Sequence, residues 1–471
     1  MSTPHTGTPL TFDSELLRRY DRPGPRYTSY PTAPRFSATF DENQLRRHAQ
    51  ATNGVEVGPP LSLYLHIPYC LAPCFYCGCN RVISRDRDKG ARYLEKLQRE
   101  IALTAPLFDR RREVVQLHLG GGTPNFLRPE QLAELLRTLR DHFNLSRDAA
   151  RDFSIELDPR GLEPGDLEHL AQIGFNRVSF GVQDFAPEVQ QAINRIQPTE
   201  QTLSAIVASR GSRFRSVNID LIYGLPRQTP AGFRNTLDTL IALRPERFAI
   251  YGYAHMPQLF KAQRQIDASD LPDAHSKLRL LQLAIERLEA AGYRYIGMDH
   301  FALPEDDLSR AQDAGSLQRN FMGYTTHADC DLVGFGVSSI SHIGHSFSQN
   351  ARELPDWEAA IDAGRLPLWR GLELSFDDRV RADVIQQLMC HGKIDIGALE
   401  RRHGIDFLSY FTDALQQIHP LVSDRLVTVV GNVIAATPRG RLLLRVIAMC
   451  FDRYLQPQGA SAAPARFSRV V

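Results

Sequence analysis

The 471-residue sequence lacks the features that would place the chain in a membrane, on a nucleic acid or outside the cell. It has no run of about 18 apolar residues that could cross a bilayer, and Met1 to Asp13 lacks the apolar core of an export signal. Its 55 Lys and Arg residues balance 54 Asp and Glu residues, which argues against general binding to nucleic acid or a membrane surface. We therefore expect a cytoplasmic globular protein with neither as a partner.

Cysteine is also scarce, and the odd total of seven argues against a disulfide framework. Cys70, Cys74, Cys77 and Cys79 nevertheless lie within ten residues, directly after an apolar run, Leu61 to Ile67, that predicts a strand. A C-x3-C-x2-C triplet can hold three irons of a cubane cluster, which leaves the fourth iron open to another ligand. The sequence thus indicates reactive iron–sulfur chemistry.

Zinc is the main alternative for these thiols. Zinc bound by four cysteines usually takes two separated C-x2-C pairs. The other cysteines, Cys330, Cys390 and Cys450, are scattered singly, so zinc would need four thiolates from one short loop. We interpret Cys390 and Cys450, which lie in apolar helical patterns, as buried free thiols.

Short apolar strands alternate with amphipathic helices over residues 51–360, the pattern of repeated βα units. The predicted strands are Leu61 to Ile67, Val114 to Leu119, Phe153 to Leu157, Arg177 to Gly181, Val217 to Ile222, Arg247 to Tyr251 and Arg294 to Met298. We therefore predict an α/β fold with a partial (β/α)6 barrel of the TIM type.

Three segments flank or interrupt this pattern. Residues 1–50 are predicted to form an N-terminal segment that covers the barrel mouth. Beyond residue 360 helical patterns dominate, for example Val380 to Met389, and predict a smaller, mainly helical domain over residues 361–471. The charged stretch Leu303 to Asn320 is interpreted as a surface loop or lid, followed by a turn from Gly334 to Ile340.

Polar motifs follow the predicted strands at the end where parallel barrels bind their ligands. Beyond the cysteine loop, Gly120 to Pro124 follow the second strand, Glu156 and Asp158 close the third, Gln183 and Asp184 follow the fourth, and Asp220 lies within the fifth. The glycine run lacks the Lys-Ser/Thr of a phosphate loop and the spacing of a dinucleotide fingerprint. Glycines without a Cβ would let a ligand approach the backbone, although a tight turn remains the alternative.

These motifs resemble those of the radical S-adenosylmethionine enzymes, on the stretches LSLYLHIPYC, CLAPCFYC and GGGTP and on Glu156. Within that superfamily the chain resembles the oxygen-independent coproporphyrinogen III oxidases. That narrower resemblance rests on GPRYTSYPTA at Gly24 to Ala33, CGCN with the extra Cys79, SIELDPR, GVQDF, NIDLIYGLP and IGMDHF. It runs from about Arg22 to the terminal FSRVV.

The resemblance implies a set of cofactors and ligands. Cys70, Cys74 and Cys77 would hold a 4Fe-4S cluster whose open iron binds S-adenosyl-L-methionine. A second molecule of S-adenosyl-L-methionine is also implied. The implied contacts are Tyr64, Gly121, Glu156 and Ile340 for the first molecule, and Tyr76, Gly122, Thr123, Gln183, Arg195, Asp220 and Ala254 for the second. Tyr64 and Cys79 are the implied catalytic residues beside the cluster.

The implied reaction is the oxidative decarboxylation of two propionates of coproporphyrinogen III to vinyl groups, which gives protoporphyrinogen IX in haem biosynthesis. It breaks an unactivated C–H bond, which no side-chain acid or base can do at neutral pH, so a cofactor must supply the reactivity. The implied route uses a 5'-deoxyadenosyl radical, an electron donor of the flavodoxin type and an electron acceptor. The resemblance also suggests a monomer.

Several of these predictions have competing interpretations. Glu156 suits two ribose hydroxyls because an ionised carboxylate only accepts hydrogen bonds, but it could be a surface carboxylate. Arg195 alone would be a solvated or helix-capping charge, whereas the resemblance makes it bind a ligand carboxylate. A haem-binding chaperone of the same superfamily is the alternative function, although such proteins lack Cys79 and the segment PRYTSYPTA.

Overall fold

The computed structural model describes residues 10–54, 56–455 and 467–470, which fall into two compact units. The first unit comprises Phe36–Leu280 and Asp329–Glu373. The second comprises, of the described residues, 10–35, Leu281–Ala328, 374–455 and 467–470. The predicted domain boundaries at residues 50 and 360 stay predictions.

The first unit is built on neighbouring parallel strands. They are β1 Leu61–Ile67, β2 Glu113–Gly121, β3 Asp152–Leu157, β4 Arg177–Gln183, β5 Ser216–Tyr223, β6 Arg247–Gly252 and β7 Asp331–Phe335. The first six lie side by side in chain order, and β7 pairs in parallel with the other edge of β1. The predicted α/β fold with six βα-type strands is confirmed. The strand β7 was not predicted, because its five residues are too few to show a pattern.

Three antiparallel strands extend the sheet beyond β7: β8 Ile340–Ile343, β9 Ser346–Asn350 and β10 Leu368–Glu373. The helices of this unit are Glu42–Asn53, Asp88–Thr104, Pro129–His142, Asp166–Ile173, Pro187–Ala192, Thr199–Gly211, Pro230–Ala242 and Leu354–Asp362. Helix Pro129–His142 begins with a proline, which has no amide hydrogen to leave unbonded at this position. Its leucines Leu132, Leu135, Leu136 and Leu139 are at most 2% exposed, so the predicted apolar stripe faces the core.

The second unit is mainly helical, as predicted for its C-terminal part. Its helices are Ser14–Tyr20, Asp307–Ala314, Phe376–His391, Ile396–His403, Phe407–Tyr410, Thr412–Ser423 and Leu444–Met449. Its short strands are Arg294–Gly297 with His300–Ala302, Gln318–Asn320 with Gly323–Thr325, and Lys393–Asp395 with Val427–Val430 and Val433–Ala436. Helix Ala274–Ala290 begins in the first unit and ends in the second.

The prediction of a surface loop over Leu303 to Asn320 was wrong. Asp306 caps a helix here by accepting a hydrogen bond from the Leu308 amide at 2.8 Å. Leu308 and Ala311 are buried one turn apart, so an apolar face too short to stand out among charged neighbours packs into the core. The prediction that Cys390 and Cys450 are buried thiols is confirmed.

Two tyrosines of the N-terminal segment, Tyr27 and Tyr30, belong to the core of the second unit. Tyr27 and Tyr30 are 2% and 4% exposed, and the Tyr27 hydroxyl donates to Asp452 at 3.0 Å. Arg445 donates to the carbonyl of Pro25 at 3.0 Å. The segment is therefore anchored within this unit, while its role over the barrel mouth stays a prediction. Across the part of the chain that the structure describes, no helix combines the length and apolar character needed to cross a bilayer.

Candidate active site

Polar side chains recur at alternating positions of β1 to β5, so they share one face of the sheet. They are Tyr64 and His66, His118, Ser154 and Glu156, Ser179, and Asn218 and Asp220. The strand register places these side chains side by side: Tyr64 lies beside His118, and His118 beside Ser154. Further along the same face, Ser179 lies between Glu156 and Asn218. Buried parallel strands are usually apolar on both faces, so this polar layer marks a candidate site.

The Tyr64 hydroxyl is oriented by a neutral histidine. The Nε2 atom of His66 lies 2.9 Å from the carbonyl oxygen of Asn80, which only accepts, so Nε2 carries the hydrogen. Nδ1 then accepts from the Tyr64 hydroxyl at 3.0 Å. Burial lowers the pKa of His66, which keeps the ring neutral. Tyr64 is thereby tied to the end of the cysteine loop.

The Glu156 carboxylate is held by a histidine and a backbone amide. His118 Nε2 lies 3.1 Å from Oε1, and the Gly121 amide donates to Oε2 at 3.3 Å. Burial opposes ionisation of both side chains, but their pairing raises the pKa of His118 and lowers that of Glu156. The Glu156 side chain remains 44% exposed. An ionised carboxylate is therefore available to a ligand at the end of β3.

Each glycine of the run Gly120 to Gly122 makes room for neighbouring protein atoms. A Cβ on Gly120 would lie 2.9 Å from the Glu156 carboxyl group. Gly121 has φ +112°, and its Cβ would lie 2.5 Å from the His66 ring. A Cβ on Gly122 would lie 2.6 Å from the Pro68 carbonyl oxygen. Packing thus explains three consecutive glycines, and their contact with a ligand stays a prediction.

The cysteine loop is closed by backbone pairing and by an arginine. Strand Tyr69–Cys70 pairs in parallel with Val82–Ile83, which brings the two ends of the loop together. The Arg81 guanidinium donates to the carbonyl oxygens of Cys77 at 3.0 Å and Cys74 at 3.2 Å. These bonds fix the turn that carries the three thiols.

Hydrogen-bond donors surround the thiol sulfurs. The Thr123 hydroxyl donates to Cys70 Sγ at 3.2 Å, and the Cys79 amide donates to Cys77 Sγ at 3.4 Å. Burial raises the pKa of Cys70 to about 11, whereas the hydrogen bond from Cys79 lowers the pKa of Cys77 to about 6. Cys79 itself is exposed, beside Cys77. The loop therefore favours thiolate at Cys77, and a bound metal would deprotonate the others.

Arg195 is buried and anchors the cysteine loop. Its Nη1 donates to Cys74 Sγ at 3.5 Å and to Asp158 at 3.2 Å. Nη2 donates to the Gly181 carbonyl oxygen at 2.6 Å, and Nε donates to Gln197 at 3.1 Å. Four of its five N–H donors are thus used within the protein. The structure gives Arg195 a positioning role toward Cys74, and its binding of a ligand carboxylate stays a prediction.

Gln183 and Asp220 lie on neighbouring strands beside Arg195. Gln183 has a left-handed backbone, φ +69°, at a register shift that turns the end of β4. Asp220 accepts hydrogen bonds from Ser179 at 3.0 Å and Asn218 at 2.9 Å. Burial, followed by the nearby charge of Glu156, raises the pKa of Asp220 to about 7. Asp220 can therefore change charge near neutral pH.

Gln263 joins two predicted ligand residues that are far apart in sequence. Its amide nitrogen donates to the carbonyl oxygens of Tyr76 at 2.9 Å and Ala254 at 3.2 Å. Its amide oxygen accepts from the Met256 amide at 2.6 Å. Ile340 is placed differently: its carbonyl oxygen would lie 2.7 Å from a Cβ on Gly334, the β7 residue that pairs with Tyr64. The structure thus brings the backbones of Tyr76 and Ala254 together through Gln263 and places Ile340 beside the strand next to β1.

Four residues of the site were not predicted from the sequence: His66, Arg81, His118 and Gln263. The two histidines could have been found from their alternation with Tyr64 and Gly120 on strands that are otherwise apolar. Arg81 binds backbone carbonyls of its own loop, and Gln263 binds the Tyr76 carbonyl from a distant segment; no local pattern announces either contact.

The residues present fit an iron–sulfur cluster. The donor set is three thiols on one loop, with hydrogen-bond donors beside the sulfurs, as such clusters use. Within residues 10–54, 56–455 and 467–470, no three His, Cys, Asp or Glu side chains converge to hold a single metal ion. This does not argue against a cubane cluster, because each of its three cysteines binds a different iron and the three sulfurs need not meet at one ion.

A parallel βα sheet with three cysteines after its first strand defines a radical S-adenosylmethionine enzyme, and residues 64–240 match the radical SAM superfamily. Residues 374–443 match the HemN C-terminal domain. The oxygen-independent coproporphyrinogen III oxidase of Pseudomonas aeruginosa is 50% identical over 98% of this chain and 99% of its own length. That of Escherichia coli is 46% identical over 98% of this chain and 99% of its own.

A solved structure supports the same assignment. The structure of "Coproporphyrinogen III oxidase (HemN) from Escherichia coli", described as a radical SAM enzyme, superposes with a TM-score of 0.90 at 44% identity. The match covers 95% of this chain and all of that one (100%). The chain belongs to the oxygen-independent coproporphyrinogen III oxidase family. These relatives favour the enzyme over the haem-binding chaperone.

Proposed function

We propose that this chain, an oxygen-independent coproporphyrinogen III oxidase, holds a 4Fe-4S cluster on Cys70, Cys74 and Cys77. With S-adenosyl-L-methionine it converts two propionates of coproporphyrinogen III to vinyl groups, giving protoporphyrinogen IX. The observation that carries the proposal is the convergence of the cysteine loop, Gly121 and Glu156 at the ends of three adjacent parallel strands. Chains nearly half identical to this one bear the same enzyme name.

The bound cluster and S-adenosyl-L-methionine supply the radical chemistry that breaks an unactivated C–H bond. The residues of this chain bind and orient these two groups and keep water away from them. The Thr123 hydroxyl and the Arg195 guanidinium donate to the Cys70 and Cys74 sulfurs, which stabilises the thiolate forms. The ionised Glu156 accepts from the two ribose hydroxyls of the first S-adenosyl-L-methionine. His66 holds the Tyr64 ring beside that site.

A second molecule of S-adenosyl-L-methionine is part of the proposal. Its proposed contacts are Tyr76, Gly122, Thr123, Gln183, Arg195, Asp220 and Ala254. Support comes from Gln263, which ties Tyr76 to Ala254, and from Gly181, beside which both Gln183 and Arg195 pack. We propose that Cys79, exposed beside Cys77, takes part in catalysis without binding iron.

Affinity for the second S-adenosyl-L-methionine should depend on the charge of Asp220. Its pKa of about 7 makes it a carboxylate above neutral pH and a neutral acid below. The ligand carries a positive sulfonium and ammonium, so affinity should rise about tenfold between about pH 6 and about pH 8. In Asp220→Asn the affinity should stay at the low-pH level throughout. Equilibrium dialysis with labelled ligand measures both curves.

The exposed Asp141 offers a control for this experiment. Asp141→Asn should keep the pH dependence of the unmodified protein. Parallel curves for Asp220→Asn and the unmodified protein would show that Asp220 does not contact the ligand.

The proposed reaction also needs an electron donor and an electron acceptor. We propose an electron donor of the flavodoxin type, a separate acceptor for the electron released on decarboxylation, and a cytoplasmic monomer. Reduced flavodoxin should then replace a chemical reductant in supporting turnover.

The activity itself has a direct assay. Anaerobic incubation with reductant, S-adenosyl-L-methionine and coproporphyrinogen III should yield protoporphyrinogen IX. Haem binding without product would instead support the chaperone.

A further inference from the structure

Glu100 is a buried carboxylate that the proposed mechanism does not use. It lies on helix Asp88–Thr104 of the first unit, and only 1% of the residue is exposed. Among the residues that the structure describes, no Lys, Arg or His pairs with it, and burial raises its pKa to about 7. A buried carboxyl group without a countercharge costs stability. Its presence therefore indicates a task that an apolar side chain could not perform.

Three N–H donors point at the Glu100 carboxylate. Oε2 accepts from the Gly336 amide at 2.8 Å and from the Trp357 indole at 3.0 Å. Oε1 accepts from the Asn350 side-chain amide at 2.6 Å. An ionised carboxylate accepts all three hydrogen bonds, whereas a glutamine would present a donor to one of these donors. Glu100 therefore joins its helix to the ends of β7 and β9.

These bonds fix the turn of residues 336–339, which connects β7 to β8 and is called the β7–β8 turn below. The Asn350 amide also donates to the Gly336 carbonyl oxygen at 2.9 Å. Gly336 and Ser338 both have left-handed backbones, with φ +89° and φ +63°. A residue with a side chain, such as Ser338, holds this conformation only where its surroundings impose it. The hydrogen bonds that Glu100 accepts help to impose it here.

The β7–β8 turn contacts the histidine that orients Tyr64. The Tyr93 hydroxyl, two turns earlier on the helix that carries the carboxylate, donates to the His66 carbonyl oxygen at 2.7 Å and accepts from the Val337 amide at 3.2 Å. A Cβ on Gly336 would lie 2.7 Å from the same carbonyl oxygen. Since β7 runs parallel to β1, the turn lies at the strand ends that carry the cysteine loop. A shift of the turn would therefore disturb the candidate site.

We propose that Glu100 is a positioning residue for S-adenosyl-L-methionine: it holds the β7–β8 turn so that Ile340, the first residue of β8, contacts the molecule bound at the open iron. The inference rests on the proposed function, which supplies that molecule and its contact with Ile340. If the turn is in place only part of the time, the apparent affinity falls by that fraction, and saturating ligand restores the competent state. The expected effect is therefore on KM rather than on kcat.

The test follows the electron paramagnetic resonance signal of the reduced cluster as S-adenosyl-L-methionine is added, because this signal reports the molecule at the open iron. Glu100→Gln turns an amide donor toward Asn350 and should raise the concentration at half change about tenfold, since a charge-assisted hydrogen bond is lost. Asn350→Leu breaks the same link and should act alike, and the double variant should lose no more than either single variant. Glu95→Gln, at an exposed position of the same helix, should behave like the unmodified protein.

Trp357→Phe separates positioning from stability. It removes the indole donor but leaves both bonds between Glu100 and the β7–β8 region, so it should lower the melting temperature without changing affinity for S-adenosyl-L-methionine. In turnover, Glu100→Gln should raise the KM for S-adenosyl-L-methionine about tenfold and keep kcat within about twofold. Equal half-change concentrations in Glu100→Gln and the unmodified protein would overturn the proposal, as would an equal loss in Trp357→Phe. If the signal of the unmodified protein ignored S-adenosyl-L-methionine, the proposed function would fail, and this inference with it.

Discussion

Cys74→Ser is expected to lose the iron–sulfur cluster and to reduce decarboxylation about a thousandfold or more, because the reactivity belongs to the cofactor. The Cys74 side chain is buried, and its sulfur receives a hydrogen bond from Arg195 at 3.5 Å. A serine hydroxyl stays protonated and does not replace a thiolate ligand. Iron and sulfide analysis, visible absorbance and product formation under anaerobic conditions measure the loss.

Cys79→Ser is the matched comparison, because it changes the same atom five residues along the same loop. The Cys79 thiol should be dispensable for assembly of the cluster but required for turnover. Iron content should therefore match that of the unmodified protein while product formation falls. If Cys79→Ser also lost the cluster, Cys79 would be a ligand. If Cys79→Ser kept full activity, Cys79 would have no part in the mechanism. Cys450→Ser, at a buried thiol of the second unit, should keep both cluster and activity.

Glu156→Gln is expected to weaken binding of S-adenosyl-L-methionine by about a hundredfold, with the cluster retained. The carboxylate is ionised, and its side chain is 44% exposed, so both oxygens can accept from a ribose diol. Glutamine presents one acceptor and one donor, and it loses two charge-assisted hydrogen bonds of about 1.5 to 3 kcal/mol each. Calorimetry with the cluster-containing protein measures the affinity.

The same substitution should change His118. Without the charge of Glu156, burial would dominate, and the pKa of His118 should fall below its ordinary value. Glu130→Gln, at an exposed position, serves as the control. Equal affinities in Glu156→Gln and Glu130→Gln would contradict the proposed ribose contact.

The sequence predicted those parts of the fold that depend on local pattern. Strands β1 to β6 are short segments with regularly spaced apolar residues, and the leucine stripe of helix Pro129–His142 has a clear helical period, so both were predicted. Strand β7 and helix Asp307–Ala314 were missed, because each is short and is buried by neighbours distant in sequence. Tertiary burial, rather than local propensity, decides such segments.

The residues of the candidate site also fall into those that a local pattern predicts and those that only the folded chain brings together. Cysteine spacing and strand-end position predicted Cys70, Cys74, Cys77 and Glu156, since these signals are local. The side chains that contact these residues come from segments distant in the sequence. Glu156 raises the pKa of His118, and His118 lowers that of Glu156, only because two strands lie side by side.

Arg195 shows why a residue's role is harder to predict than its place. The family resemblance implied that it binds a ligand, but four of its donors are bound within the protein. That distribution depends on segments around residues 74, 158 and 181, which meet only in the folded chain.

The proposed chemistry requires that three thiolates leave one iron of a cubane open to S-adenosyl-L-methionine. Electron paramagnetic resonance of the anaerobically purified, reduced protein can detect such an iron. The reduced protein should show the signal of a 4Fe-4S cluster, and its shape should change when S-adenosyl-L-methionine is added. Absence of this signal, or a signal that does not respond to S-adenosyl-L-methionine, would show that the open iron site does not exist.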